Sequence, residues 1–455
     1  MTAEPGTLTI RGGRLALPLD DHTEQICVVE GDLQITGGRI SNIGVARDDR
    51  GEVIDARGLL VMPGVIDPQV HFREPGLTHK EDLHSGSRAC AAGGVTSFLE
   101  MPNTKPPTID RAALDWKLHR ARETSLVHYG FFVGATPSNL PELLALEPAE
   151  DVAGIKIFMG SSTGTLLVSE RADLDRIFAH GRRLIAVHAE DEARLKARAE
   201  LIGDTADPAL HSVIRDAESA RIATAVALEL SERYQRRLHV LHLSTAEEVE
   251  LLRERGKGGG RVTAEVTPQH LLLHAPEIYA RLGTRAQMNP PLRDARHAAA
   301  LWRGLREGVL DCVATDHAPH TLAEKAQGYG KAPSGMPGVE TSLAAMLDAA
   351  HRGLCKVEEV VGWMTEGPRR CYRIHGKGRL ELGFDGDVVL VDLARTRTID
   401  EGAIRSRAGW SPFEGVPLTG WPVATFVLGQ AVYRDGEIIE ARAARPLRFE
   451  QGAVS

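Results

Sequence analysis

Cysteine is scarce and scattered. The five residues, Cys27, Cys90, Cys312, Cys355 and Cys371, are odd in number and include no Cys-x-x-Cys pair. This excludes a disulfide framework and a local thiolate zinc motif, and reads as the reduced thiols of a cytoplasmic protein. Basic charge is not in excess: 54 Lys+Arg against 62 Asp+Glu leave a formal charge of −8. The clustered positive surface that nonspecific nucleic-acid binding requires is therefore not expected. No apolar run reaches the ~18–20 residues of a membrane helix. The opening Met1-Thr2-Ala3-Glu4-Pro5 has neither the basic start nor the apolar core of a secretory leader. Internal repeats and a Gly-rich dinucleotide fingerprint are also missing; residues 256–260 (GKGGG) read as a loop, not a phosphate cradle.

What is present is an ordinary globular balance, 42% hydrophobic and 25% charged, in a chain of 455 residues, enough for a barrel plus an accessory module. Residues 7–14, 27–34 and 39–45 are short, β-branched and punctuated by Gly and Asp, with Gly37-Gly38-Arg39 as a hairpin turn. Residues 387–392 (DVVLVD), 424–428 and 430–434 repeat that texture towards the other end. Neither end has strands enough for its own core. One small β domain is expected from residues 1–62 and 371–455 together, with a larger domain, 63–370, inserted between. In that middle part, apolar runs recur at 65–71, 95–100, 128–133, 154–158, 184–188, 238–242, 262–266 and 311–315. Segments of helical texture such as 218–232 and 246–255 separate them. The alternation predicts an α/β fold: a (β/α)8 TIM-like barrel with a small composite β-sandwich formed by both chain ends.

Polar residues fall at the ends of these runs. His71 closes the first, Lys156 lies inside the fourth, His188 and His242 close the fifth and sixth, and Asp316 follows the eighth. In a barrel the C-terminal strand ends converge on one face, where active sites form. Imidazole nitrogen and carboxylate oxygen are ligand types for Zn²⁺ and similar ions, and a metal with an open position activates water. Each residue alone also has an ordinary explanation: a hydrogen-bonded histidine, or a helix cap for Asp316. A lysine in an apolar strand must be paired, neutral or modified; a neutral amine can take up CO₂ as an anionic carbamate. The joint placement of all five is what points to a site.

The same residues carry a resemblance. Residues 67–76 (DPQVHFREPG) resemble the first-strand motif of dihydroorotases, within the amidohydrolase superfamily. Residues 101–104 (MPNT), 288–293 (MNPPLR) and 314–320 (ATDHAPH) resemble three further motifs of that family. Residues 154–164 (GIKIFMGSSTG) resemble the lysine-bearing strand of its carbamate-containing members. The resemblance implies that His71 binds a more buried Zn²⁺, that Lys156, as a carbamate, bridges two ions, and that His188 and His242 bind the second. It implies that Asp316 ligates the first ion and shuttles a proton. Arg73, Asn103 and His320 would hold a substrate carboxylate; Asn289 would contact the substrate, and Ser334 and Gly335 would border its ring. The reaction implied is reversible hydrolysis of dihydroorotate to N-carbamoyl-aspartate in pyrimidine biosynthesis. A homodimer and association with aspartate carbamoyltransferase are the partners it leaves open.

One position departs from the pattern. Gln69 stands where the family's His-x-His motif has its first histidine, and an amide oxygen is a weaker zinc ligand than imidazole. One ion or two are therefore open, and Gln69 either ligates or hydrogen-bonds a neighbour. Arg73 is the specificity argument, because a guanidinium pairs bidentately with a carboxylate. Two residues past His71, it is expected on the same strand face; the alternative is an ion pair with Glu74 or Asp67. Three readings stand: dihydroorotase; another cyclic amidase, hydantoinase or allantoinase; and a catalytically silent scaffold subunit.

Overall fold

The computed structural model describes residues 6–19, 25–46, 51–161, 166–202, 207–400 and 402–450. The opening pentapeptide and the tail of the fourth-run motif, residues 162–164, lie outside these. Five strands come first: β1 (Thr7–Pro18), β2 (Ile26–Thr36), β3 (Arg39–Gly44), β4 (Glu52–Asp55) and β5 (Leu60–Pro63). Barrel strands follow: β6 (Val65–Val70), β7 (Val95–Glu100), β8 (His128–Gly134), β9 (Val152–Phe158), β10 (Ile185–His188), β11 (Leu238–Val240), β12 (Val262–Val266) and β13 (Cys312–Val313). The chain ends with β14 (Val388–Thr398), β15 (Pro417–Val427), β16 (Gln430–Arg434) and β17 (Glu437–Ile438).

β6 to β13 pair in parallel in chain order. A parallel bridge between Val70 and His317, with the His71 amide donating to the His317 carbonyl at 2.7 Å, joins the first strand to the last. Every described residue of β6, β8, β9 and β12 is buried, as expected of strands covered on both faces. The expected helices form: Ala217–Tyr234 is capped by Asp216, and Ala246–Arg255 by Thr245. In each, the capping side chain accepts an amide hydrogen that the first helical turn leaves unpaired.

Both chain ends build one further sheet, in the order β17-β16-β15-β14-β5-β1-β2-β3 with β4 beside β1 among the described residues. The two ends join where β14 pairs antiparallel with β5, Leu390 opposite Val61. Their side chains share one core: Ile10, Leu33 and Ile35 from the first end pack with Val388, Leu390 and Phe426 from the second. The hairpin at Gly37-Gly38 has φ of 60° and 81°, the doubly left-handed turn that suits two-residue β-hairpins and glycine.

Three barrel strands stop earlier than the apolar runs suggest. β6 ends at Val70, β11 at Val240, and β13 spans only Cys312–Val313. Their polar ends leave the ladder into irregular backbone, and Arg73, His242 and Asp316 take left-handed φ of 64°, 39° and 46°. Such conformations are costly for non-glycine residues and persist where surrounding structure enforces them. Arg73 therefore does not share a strand face with His71, as period-two reasoning expects; it lies in the turn beyond the strand. Between them Phe72 is fully buried, 4.7 Å from the Phe98 ring and 5.6 Å from that of His317. That anchor fixes the loop carrying both residues.

Candidate metal centre

His71 is held from both sides. Its Nδ1 lies 2.7 Å from the Asn103 Oδ1 and its Nε2 3.1 Å from Asp316 Oδ1. Donation from Nδ1 to the amide oxygen leaves the Nε2 lone pair directed at Asp316, so Asn103 fixes the His71 tautomer. Gln69 Nε2 donates to the same Asp316 oxygen at 3.0 Å, while its Oε1 is buried without a hydrogen-bond partner. The neighbouring Thr315 is tied to β6 by Asp67, which accepts from both its hydroxyl and its amide. Asp316 is thereby set opposite Gln69 and His71; it caps no helix, since Thr321 caps the next one.

A second pair lies at β10 and β11. His188 Nδ1 and His242 Nε2 face one another at 3.1 Å. His188 Nε2 donates to Glu190 Oε2 at 2.9 Å, and Arg215 holds that carboxylate, with Nε 3.1 Å from each oxygen. Burial would raise Glu190, but Arg215 and His188 outweigh it and hold the carboxylate below its ordinary range. His188 is thus committed to Glu190 through one nitrogen and presents the other. Burial lowers His71, His188 and His242 alike, so all three are neutral ligand-type imidazoles at neutral pH.

Lys156 is fully buried in β9, and its Nζ has no hydrogen-bond partner. The ammonium position sits 4.5 Å over the Phe158 ring. Desolvation pulls the amine down to about 7, against the attraction of Asp316 and Glu265. It is close enough to act electrostatically on His71, His188, His242 and Asp316. The five residues therefore gather as two pairs with one unpartnered amine near both.

These donors fit a divalent ion. Two ligand bonds of ~2.0–2.1 Å in a tetrahedron place their nitrogens ~3.3 Å apart, close to the 3.1 Å between His188 and His242. The Glu190 hydrogen bond on the far nitrogen is the outer partner that metal-binding histidines carry. On the His71 side, the orphaned Gln69 Oε1 lies alongside two further donors.

Arg73 is 2% exposed; its Nε donates to the Pro319 carbonyl at 3.3 Å and its Nη2 lies 3.2 Å from His320 Nε2. Neither expected acid partner takes it: Glu74 pairs with Arg120, and Asp67 with Thr315. His320 Nε2 is 3.0 Å from the Ser334 carbonyl, and Lys80 Nζ is 3.0 Å from His320 Nδ1. Gly335 has φ of 134°, and a Cβ there would meet the Ala318 oxygen at 2.6 Å, so only glycine fits. Asn289 Oδ1 lies 3.0 Å from His211 Nε2, with Ser334 Oγ at 3.5 Å from the same nitrogen. His211, Arg215, Tyr329 and Ser334 line a cavity of ≈ 330 Å³.

Sequence reasoning missed Glu190, Arg215, His211 and Tyr329. Glu190 carried a signal, two residues past His188 and so on its side of an extended chain; the others come from connecting segments without a motif. Two further clusters are His239–Glu265–Cys312, whose Glu265 also accepts from the His242 amide at 3.4 Å, and His128–Asp385–Asp387. In the latter Lys377 already sits 2.7 and 2.6 Å from the two aspartates.

No helix among the described residues is long and apolar enough to cross a membrane. Residues 60–432 match the Amidohydrolase family. The dihydroorotase of Methanosarcina mazei is 38% identical over 430 residues, 91% of this chain and 92% of that one. The Bacillus subtilis dihydroorotase is 35% identical over 414 residues, 90% and 96% of the two chains. Among solved structures, L-hydantoinase (dihydropyrimidinase) from Arthrobacter aurescens superposes with a TM-score of 0.90 at 30% identity, over 97% of this chain and 99% of that one. D-hydantoinase from Bacillus sp. AR9 gives 0.87 at 27%, over 98% and 100%. The chain belongs to the amidohydrolase family, within its dihydroorotase- and hydantoinase-like part, and its reaction type is metal-dependent hydrolysis of a cyclic amide.

Proposed function

We propose that the substrate is dihydroorotate, hydrolysed reversibly to N-carbamoyl-aspartate at the rim of the barrel. The observation that carries this reading is Arg73: a buried guanidinium with no carboxylate in ion-pair reach among the described residues, beside Lys80 and His320. Burying an uncompensated charge is expensive, and a ring carboxylate supplies the missing partner bidentately. Desolvation lowers Arg73 only to about 10, so it stays cationic at neutral pH.

Lys156, His188 and His242 would hold one divalent ion, with Lys156 as a carbamate; His71 and Asp316 would hold another. Zn²⁺ suits the nitrogen and oxygen donors. Such an ion supplies Lewis acidity and brings water near its deprotonation point at neutral pH. Asp316, set by Gln69 and His71, takes a proton at Oδ1 and returns it to the departing ring nitrogen. Arg73 and His320 orient the ring through its carboxylate, and Asn289, Ser334 and Gly335 border its far edge. Glu190 acts through His188 and Asn103 through His71.

A hydantoinase reading draws on the 0.90 superposition with L-hydantoinase; its ring has no carboxylate for Arg73. Steady-state hydrolysis of dihydroorotate, hydantoin and allantoin by the metal-loaded protein separates them. Preference for dihydroorotate is expected. Preference for hydantoin or allantoin rejects the assignment, and no turnover of any ring rejects both.

A further inference from the structure

Three residues before His242 on β11, His239 faces Glu265 of β12 and Cys312 of β13. All three are fully buried and offer ligand atoms within 4.8 Å of one another. Cys371, on the helix Glu366–Tyr372, places its sulfur 3.9 Å from that of Cys312 and is close enough to act electrostatically on His239. We propose that these four side chains form a separate structural metal site inside the barrel, taking one thiophilic divalent ion such as Zn²⁺.

The spacing of the ligand atoms argues for an ion there. His239 Nδ1 lies 2.7 Å from the Thr263 hydroxyl and its Nε2 3.0 Å from Glu265 Oε2. The paired thiols have the spacing of two metal ligands. In a tetrahedral site two Zn–S bonds of ~2.3 Å set the sulfurs ~3.8 Å apart, and these stand at 3.9 Å. Thr263 is then the outer hydrogen-bond partner that orients a ligating imidazole. Close by, the Tyr372 hydroxyl is buried without a hydrogen-bond partner, its ring 5.0 Å from that of His239. The His128–Asp385–Asp387 cluster makes the contrast, because its cation is the Lys377 ammonium.

The ion would tie β11, β12 and β13 to a helix 59 positions further along the chain. Its thiolates come from distant segments, so no Cys-x-x-Cys spacing announces it. The site stands independently of which ring the rim hydrolyses.

The test uses the full chain expressed in cobalt-supplemented minimal medium. Sulfur-to-cobalt charge transfer gives an intense near-ultraviolet band that nitrogen and oxygen ligands do not. The band is expected in the unsubstituted protein, retained in His188→Ala and lost in Cys312→Ala, which should carry one ion fewer per chain. Absence of the band from the unsubstituted protein, or its persistence with unchanged metal content in Cys312→Ala, overturns the proposal. Should Cys312→Ala fail to fold, X-ray absorption on the unsubstituted zinc protein decides: sulfur at ~2.3 Å is expected, and nitrogen and oxygen alone overturn it. An intact mass two hydrogens low, with Cys312 and Cys371 joined, also overturns it.

Discussion

Replacing Arg73 by alanine removes the buried guanidinium and leaves the left-handed backbone, φ 64°, no more strained than before. If a ring carboxylate pairs with Arg73, the variant buries that carboxylate without its main partner. Breaking a buried ion pair by removing one member costs about 3–5 kcal/mol. Lys80, 3.0 Å from His320 and itself ion-paired with Glu324 at 2.9 Å, leaves a partly neutralised cation nearby, and the lower end of that range is used. About 3 kcal/mol corresponds to roughly a 100-fold fall in kcat/KM for dihydroorotate, at 1.4 kcal/mol per tenfold. Hydantoin, which offers no carboxylate, should change by less than about threefold on the same scale. Arg73→Lys keeps the charge but loses the bidentate fork and should fall between. Steady-state kinetics on both rings, with metal content measured alongside, reads all of this. Equal losses on the two rings, or none on dihydroorotate, would refute the reasoning.

Lys156→Ala should strip metal from the rim, and short carboxylic acids should restore part of the activity; full metal retention would make the lysine structural. Glu190→Gln should weaken rim metal affinity about 10- to 100-fold, the usual effect of losing an outer partner of a ligating histidine; competition with a chelator measures it, and unchanged affinity removes Glu190 from that role. Asp387 is a stability test. Burial would raise its carboxyl, but His128 and Lys377 hold it well below its ordinary range. A depressed folded pKa contributes stability above the unfolded value of ~3.9 that is lost as pH falls below it. Asp387→Asn should therefore lower Tm at pH 7, with the gap to the unsubstituted protein closing below about pH 4; a gap that widens in acid reverses the sign and rejects the account.

The ends of the apolar runs were readable because barrel geometry makes strand termini converge wherever eight strands alternate with helices. That reasoning places His71, Lys156, His188, His242 and Asp316 at one rim. It fails at Arg73, where the strand stops at Val70 and a left-handed turn replaces the two-residue period. Arg215, His211 and Tyr329 were illegible for another reason: they lie on connecting segments, and only tertiary packing brings them to Glu190, Asn289 and the cavity wall. The thiols of Cys312 and Cys371 meet in the same way, through folding and not through spacing.

The rim imidazoles are expected to share an ion with Lys156. Anomalous X-ray diffraction from crystals grown with Zn²⁺ tests it most directly. A peak within ~2.0–2.2 Å of His188 Nδ1 and His242 Nε2, with density extending from Lys156 Nζ to the same ion, is the predicted result. A zinc-replete crystal with no peak between those two nitrogens would contradict it.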